Sequence, residues 1–361
     1  MHTTRHPQSR PLVLATFAVL STFVAPGCSK AARTTRILEQ ANVHLAAGEL
    51  EKAEIEFKNA LQTDGQNAEA ISRLGLLYHE QGRDSRAAAF LLRARELQPE
   101  NLAIRYRLGL AHLSAGGAKQ AREEALFILE RRPDDAEAPL LLVEASVTPS
   151  ELEETRQRLL ALKPTSAKSP AGLVALGNIA LRQNRSKEAE ESFQAAIAID
   201  PKFAAAYGSL GLLHWSKKDA AAADAAFKQA FDLSPDRSPR RLHYAQFKLQ
   251  SGDVAEARQI LEAMGRKTPD YLPIWSTLAE IALNERKLDE AEGFVAKSLA
   301  HESQHAETLL VSARIRLAKG EAAKAVEELD RLATMFPRSP QVSYQLGLAY
   351  AANGDTNKAL T

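Results

Sequence analysis

The chain has a single cysteine, Cys28, among 361 residues, so no internal disulfide framework can form and cysteine pairing says nothing about redox compartment. It also lacks an excess of either charge. Lysine and arginine number 46 against 45 aspartates and glutamates, which leaves no global field to attract nucleic acid or an anionic membrane surface. Binding must therefore come from local surface, and no nucleic-acid partner is expected. Aromatic residues reach only 6%, although 45% of the chain is apolar and alanine is abundant. That balance suits close-packed helices better than sheets, which draw on β-branched and aromatic side chains. An all-α chain is expected. There is no glycine-rich phosphate loop, no nucleophile elbow and no supported pair of carboxylates, so neither catalysis nor a cofactor is expected.

The first residues are informative. Residues 1–11 carry Arg5 and Arg10 and no acid, Leu12 to Val24 form a 13-residue apolar run, and Ala25, Pro26, Gly27 and Cys28 follow. The run is too short for a stable membrane span, and its order is that of a secretory signal. The junction Gly27-Cys28 resembles the bacterial lipobox, in which a small residue precedes a lipidated Cys, although Ala25 and Pro26 depart from its usual residues. The resemblance implies a signal peptide over 1–27, lipid attachment at Cys28 and, with Ser29 rather than Asp next, the periplasm-facing side of the outer membrane. Loss of the signal would leave 44 basic against 45 acidic residues. The mature protein is close to neutral.

From residue 34 onward one pattern recurs. In residues 68–101 Leu74, Gly75, Tyr78, Gly82, Ala87, Leu91, Ala94 and Pro99 stand at offsets that return, with substitutions, along most of the remaining chain. The unit is 34 residues long. This period and pattern resemble the tetratricopeptide repeat, a helix-turn-helix unit that stacks into a superhelical solenoid. The resemblance implies a short tether over 28–33 and an array over 34–361 of about ten repeats. Steric logic supports it: small residues where helices cross permit close approach, and Pro ends the second helix for want of an N–H donor. Repeat four, near 136–170, is irregular, since Pro133, Pro164 and Pro201 are spaced 31 and then 37 apart. The array is expected to lose and regain register there, with a hinge as one reading. Thr148-Pro149-Ser150-Glu151 reads as a capping box that starts a new helix, 163–170 as a longer connection, and Asp253 as the N-cap of a second helix. The last repeat, from Pro340, ends incomplete at Thr361, as expected of a fragment of a longer protein.

One motif could carry chemistry. His301-Glu302-Ser303-Gln304-His305 matches the H-E-x-x-H pattern of zinc proteases, which requires both imidazoles on one helical face. The repeat register instead puts these residues across an inter-repeat turn, so a metal site is expected to be absent and zinc proteolysis is the minor alternative. Basic pairs such as Arg240-Arg241 read as solvated surface. In proteins of this repeat type the first helices line a concave groove for peptides or partner helices. Transferred here, that implies a mainly apolar stripe of Leu76, Tyr106, Leu110, Val174, Asn178, Leu212, Trp215 and Leu249, continued by Leu310, Tyr344 and Leu348. Tyr106 and Trp215 are the expected aromatic anchors. With the signal and Cys28, the chain is similar to repeat lipoproteins of exopolysaccharide and PEP-CTERM protein-sorting systems, chiefly in residues 45–62. A lipid-anchored, non-enzymatic scaffold for protein or peptide partners is the leading expectation. A pilotin-like assembly factor for a pilus or secretion secretin is the alternative.

Overall fold

The computed structural model describes His2 and residues 30–162, 168–337 and 339–359. Cys28 and the signal segment lie outside the described residues, as does most of the expected connection at 163–170. Among the described residues there are twenty helices and no strand. They come in antiparallel pairs: α1 (Lys30–Ala46) with α2 (Leu50–Thr63), α3 (Ala68–Glu80) with α4 (Asp84–Leu97), α5 (Leu102–Ser114) with α6 (Ala118–Arg131), and α7 (Ala138–Glu144) with α8 (Pro149–Ala161). Three further pairs follow: α9 (Pro170–Arg182) with α10 (Ser186–Ile199), α11 (Ala204–Ser216) with α12 (Ala220–Leu233), and α13 (Pro239–Gln250) with α14 (Val254–Lys267). The series ends with α15 (Leu272–Asn284) and α16 (Leu288–His301), α17 (Ala306–Ala318) and α18 (Ala322–Met335), and α19 (Pro340–Ala352) with the short α20 (Thr356–Ala359). The expected tether is already helical from Lys30, because Lys30-Ala31-Ala32-Arg33 are strong helix formers with no Gly or Pro among them.

In the pairs that begin with α3, α9 and α11 the approach of the two helices depends on a residue without a side chain. A Cβ on Gly177 would lie 2.4 Å from a ring carbon of Phe193, and one on Gly211 2.8 Å from Phe227. Gly75 meets Leu91 at 3.0 Å in the same way. Phe193 and Leu91 are fully buried. The large side chain of the second helix fills the space that the glycine of the first leaves open.

The turn inside each pair sets the period. Left-handed backbone occurs at Gly48, Gly82, Gly116, Asn184, Lys218, Gly252, Arg286, Gly320 and Gly354, and successive members are 34 residues apart except across repeat four, where Gly116 and Asn184 are two periods apart. Each such residue ends a helix with the same pair of bonds; at Gly82, its own N–H reaches the His79 carbonyl and the N–H of Arg83 the Tyr78 carbonyl. Repeat four therefore loses register internally and then regains it, as its proline spacing suggested: α8 begins at Pro149, 31 residues after the start of α6 at Ala118, whereas α9 begins at Pro170, two full periods of 34 after the start of α5 at Leu102. Its irregularity is internal. α7 has only 7 residues, and Thr148 and Glu151 form the expected capping box at the start of α8. Arg122 fills the space beneath by donating to the buried hydroxyls of Ser146 and Thr155 at 2.8 and 2.7 Å. Asp253 occupies the N-cap of α14 but makes no side-chain capping bond. Its N–H is already tied to the Lys248 carbonyl at 2.8 Å, so the turn is closed by backbone.

Two side-chain-bearing residues other than Asn occupy the left-handed position, Lys218 at φ 62° and Arg286 at φ 61°, where an L-residue costs about 1–2 kcal/mol. After allowing for the unfolded-state entropy of glycine, Lys218→Gly and Arg286→Gly should each raise stability by roughly 0.5–1 kcal/mol, read as a shift in the urea midpoint. Gly177→Ala should lower it by about 1–3 kcal/mol through overpacking against Phe193; an unchanged midpoint would show that the pair does not rely on this approach.

Candidate functional site

The zinc-like motif lies where the register places it. His301 ends α16, Glu302 to Gln304 form the turn and His305 precedes α17, so the two imidazoles do not share a helical face. All three chemical side chains are engaged elsewhere. His301 Nδ1 is 3.3 Å from Glu51 Oε1. Buried Glu302 accepts from Arg83 at 3.2 and 3.1 Å and from Arg86 at 2.8 Å. His305 Nε2 lies 3.2 Å from the Gly82 carbonyl, and its Nδ1 lies 2.7 Å from the Thr308 hydroxyl. A carbonyl can only accept, so Nε2 carries the proton and Nδ1 accepts from Thr308. Among the described residues no group of three or more His, Cys, Asp or Glu is placed to hold a metal ion.

These contacts join residues more than 200 positions apart, so the solenoid returns on itself. The backbone N–H of Leu272 donates to the Gln81 carbonyl at 3.1 Å, and Gln81 Nε2 donates to Asp270 at 3.3 Å. Arg237 pairs with Asp270 at 2.8 Å and reaches Glu80 at 3.4 Å. Gly82 must be glycine on two counts: its φ is +72°, and a Cβ there would lie 2.4 Å from Pro273 Cδ. The turn of repeat two thus seats against the loops that precede α15 and α17.

At the centre of this seam Arg83, 5% exposed, binds Glu54 at 2.7 Å and Glu302 at 3.1 Å and lies over the Tyr78 ring at 4.4 Å. Burial works to raise the Glu54 pKa, but hydrogen bonds from Arg83 and Lys58 outweigh it and hold the carboxyl below its ordinary value. The Tyr78 hydroxyl, which donates to Glu54 at 3.2 Å, is pushed up to about 12, by burial first and then by the Glu54 charge. Sequence reading missed the seam entirely.

The expected groove separates into three columns, each with one residue per 34. Leu38, Ser72, Leu140, Val174, Leu242, Ser276 and Leu310 share a column and are all buried. Val174 and Leu310 therefore pack neighbouring helices rather than line a groove, and in this column Tyr106 is half-buried and Tyr344 is 65% exposed. Trp215 and Leu249 share a second column, half-buried; the Trp215 ring meets Phe247 edge-on at 5.0 Å. The third column is Asn42, Leu76, Leu110, Glu144, Asn178, Leu212, Gln246, Glu280, Arg314 and Leu348, and none of its members is buried. This column is the open surface of the first helices. It is mixed rather than mainly apolar: Leu212 is 54% and Leu348 43% exposed, whereas Arg314 and Glu280 pair at 2.6 Å.

A charged group missed in the sequence stands beside it. Arg240, expected to be plain surface, bears on Tyr106, Glu144 and His243 together. The surrounding protein raises the Glu144 carboxyl and the Tyr106 phenol and lowers the His243 imidazole, with desolvation the largest cause of each shift. Glu144 and His243 remain open to water, so they line a crowded but wet surface.

Two outcomes test the seam. Arg83→Ala leaves Glu54 and Glu302 buried without a cation, which should cost about 3–5 kcal/mol in denaturant unfolding. The pH dependence has a definite sign. Burial lowers the His305 pKa, partly offset by the Gly82 carbonyl, Asp84 and Glu302; the neutral ring is the folded form, so its contribution is present above about pH 6.5 and is lost as pH falls. Glu54, also lowered, contributes above its unfolded value and is lost at still lower pH. Wild-type stability should fall from pH 7 to pH 5 more steeply than that of Arg83→Ala; parallel profiles would contradict the seam.

Comparison with known proteins agrees with this architecture. A tetratricopeptide repeat family model matches residues 38–101, 174–238 and 310–361, and a second one matches 214–281 and 249–315. Superkiller complex protein 3 of Mus musculus is 28% identical over 255 residues, 68% of this chain and 16% of that protein. Protein O-mannosyl-transferase TMTC3 of Homo sapiens is 21% identical over 305 residues, 78% of this chain and 33% of that protein. Cellulose synthase 1 operon protein C of Komagataeibacter xylinus is 25% identical over 236 residues, 60% of this chain and 18% of that protein. Among solved structures, yeast Tom70 is similar with a TM-score of 0.47 and 14% identity, over 92% of this chain and 91% of that one. The chain spans a third or less of the length of these three curated relatives. Arrays of this kind are generally scaffolds for protein–protein contact, though some relatives bear the names of enzymes. With family matches over more than half of its length and a helix-pair period of 34 in every described repeat but the fourth, the chain belongs to the tetratricopeptide repeat family.

Proposed function

We propose that this chain is a non-enzymatic scaffold, anchored by a lipid on Cys28 at the periplasmic face of a bacterial outer membrane, where it gathers proteins of exopolysaccharide synthesis or export. The observation that carries the scaffold reading is the open column on the first helices, which offers exposed Leu212 and Leu348 between polar neighbours. Apolar anchors framed by polar groups suit a partner helix or an extended segment. The engagement of His301, Glu302 and His305 in the seam supports a packing role for the one motif with catalytic appearance.

The anchor and compartment are supported by sequence: the basic start, the apolar run from Leu12 to Val24, and Cys28 directly after it. Among the described residues no helix is long and apolar enough to cross a membrane. The polysaccharide assignment draws support from the Komagataeibacter xylinus relative, whose name places it in a cellulose synthase operon.

A crosslinked pull-down from the native envelope tests both parts, run with wild type, Cys28→Ser and Leu212→Glu. Polysaccharide synthesis or export proteins should be enriched with wild type, lost with Cys28→Ser, and reduced about tenfold with Leu212→Glu, equivalent to about 1.4 kcal/mol. The same partners at the same yield with all three would overturn the proposal.

A further inference from the structure

We infer that the first repeat carries a docking surface for the anionic headgroups of a phospholipid bilayer. Lys30, Arg33 and Arg36 follow one another at three-residue steps along one side of α1, and all three are exposed. Within the described residues none of these three side chains forms a hydrogen bond or ion pair. Such freedom contrasts with the arginines that hold the array together, since Arg83, Arg95, Arg105 and Arg258 each reach carboxylates at 2.6 or 2.7 Å. The three free cations face a cleft of about 820 Å³ between α1 and α2, lined also by Ile37, Glu56, Asn59, Gln62 and Thr63. Glu56 is the one acid of that lining, and it already accepts from Asn59 Nδ2 at 3.3 Å.

Cations with amide and hydroxyl groups around them fit phosphodiester oxygens. The attraction has to be local, because the chain as a whole is balanced at 46 basic and 45 acidic residues. A bilayer is the occupant that the position of the cleft favours. α1 begins two residues after Cys28, and two extended residues reach only about 7 Å. A lipid on Cys28 would therefore hold Lys30, Arg33 and Arg36 at headgroup depth. This step rests on the anchor proposed above, whereas the charge of the cleft does not. The surface would orient the array on the membrane as well as strengthen its attachment, since one acyl chain binds only marginally and a basic patch is an effective second signal.

The test is flotation of the full chain with vesicles of phosphatidylcholine alone or of equal parts phosphatidylcholine and phosphatidylglycerol, at low and high salt. Each cation close to an anionic surface adds about fivefold, so wild type should bind the anionic vesicles roughly a hundredfold more tightly at low salt and lose that preference at high salt. Arg33→Glu with Arg36→Glu should abolish the preference, and Arg33→Gln with Arg36→Gln, which preserves folding should charge reversal disturb it, should leave about the fivefold due to Lys30. Equal binding to both vesicles, or a preference that survives in both double variants, would overturn the inference. Displacement by micromolar inorganic phosphate would assign the cleft to a free anion and also overturn it. Incorporation of labelled fatty acid at Cys28, measured separately in cells, reports on the anchor alone. Label without an anionic preference sinks only this surface; an anionic preference without label sinks only the anchor.

Discussion

One guanidinium joins the two ends of a superhelical turn. Arg83 sits in the second repeat, yet it neutralises Glu54 from the first and Glu302 from the far side of the turn. A cation buried this deeply is tolerated only because its donors are matched by carboxylates and its face lies on the Tyr78 ring. Everything near it is shaped to allow that contact: Gly82 lets Pro273 approach, His305 caps the Gly82 carbonyl, and Leu272 uses its free helix-terminal N–H on Gln81. A repeat array in which each unit touched only its neighbours would be elastic along its length. The seam adds a contact across the turn and so limits how far the groove can open or tighten.

That contact can recur only if each repeat contributes the same rotation. The left-handed residues at nine of the helix-pair turns hold this constant, because the same backbone bonds close each of those nine whether the residue is Gly, Asn, Lys or Arg; the α7–α8 turn is the exception. Repeat four, with its shortened α7, still returns the chain to register at Asn184. Its buried trio of Arg122, Ser146 and Thr155 replaces apolar packing with hydrogen bonds from one terminal guanidinium nitrogen, while the other terminal nitrogen lies 2.9 Å from Glu154. The Lys218 and Arg286 positions carry backbone strain that the rest of each turn overcomes.

What could be read from the sequence was whatever depends on neighbours in the chain. The 34-residue period, the Gly75 and Gly177 contacts, the capping box at Thr148 and the turn that splits His301 from His305 are all consequences of local spacing. The seam was not legible, since it depends on a small rotation summed over about six repeats, and no short motif encodes that sum. The groove was half legible. Position within a helix separated buried Val174 and Leu310 from open Leu212 by only a few residues of helical phase, and the family pattern alone does not resolve that phase. Arg240 looked like surface because its partners on α5 and α7 are distant in sequence. His305 and Glu302 had a recognisable pattern whose meaning came from residues 216–223 positions away.

The closed turn is the claim from which the groove's shape and the seam's chemistry both follow, and it is most directly tested by a distance. Spin labels at Ser85→Cys and Ser303→Cys, in a Cys28→Ser background, flank the seam on exposed residues. Pulsed dipolar measurement should find one short, narrow distance distribution that becomes long and broad when Arg83→Ala is added. A broad distribution without that substitution would show that the turn stands open in solution and that Arg83 does not close it.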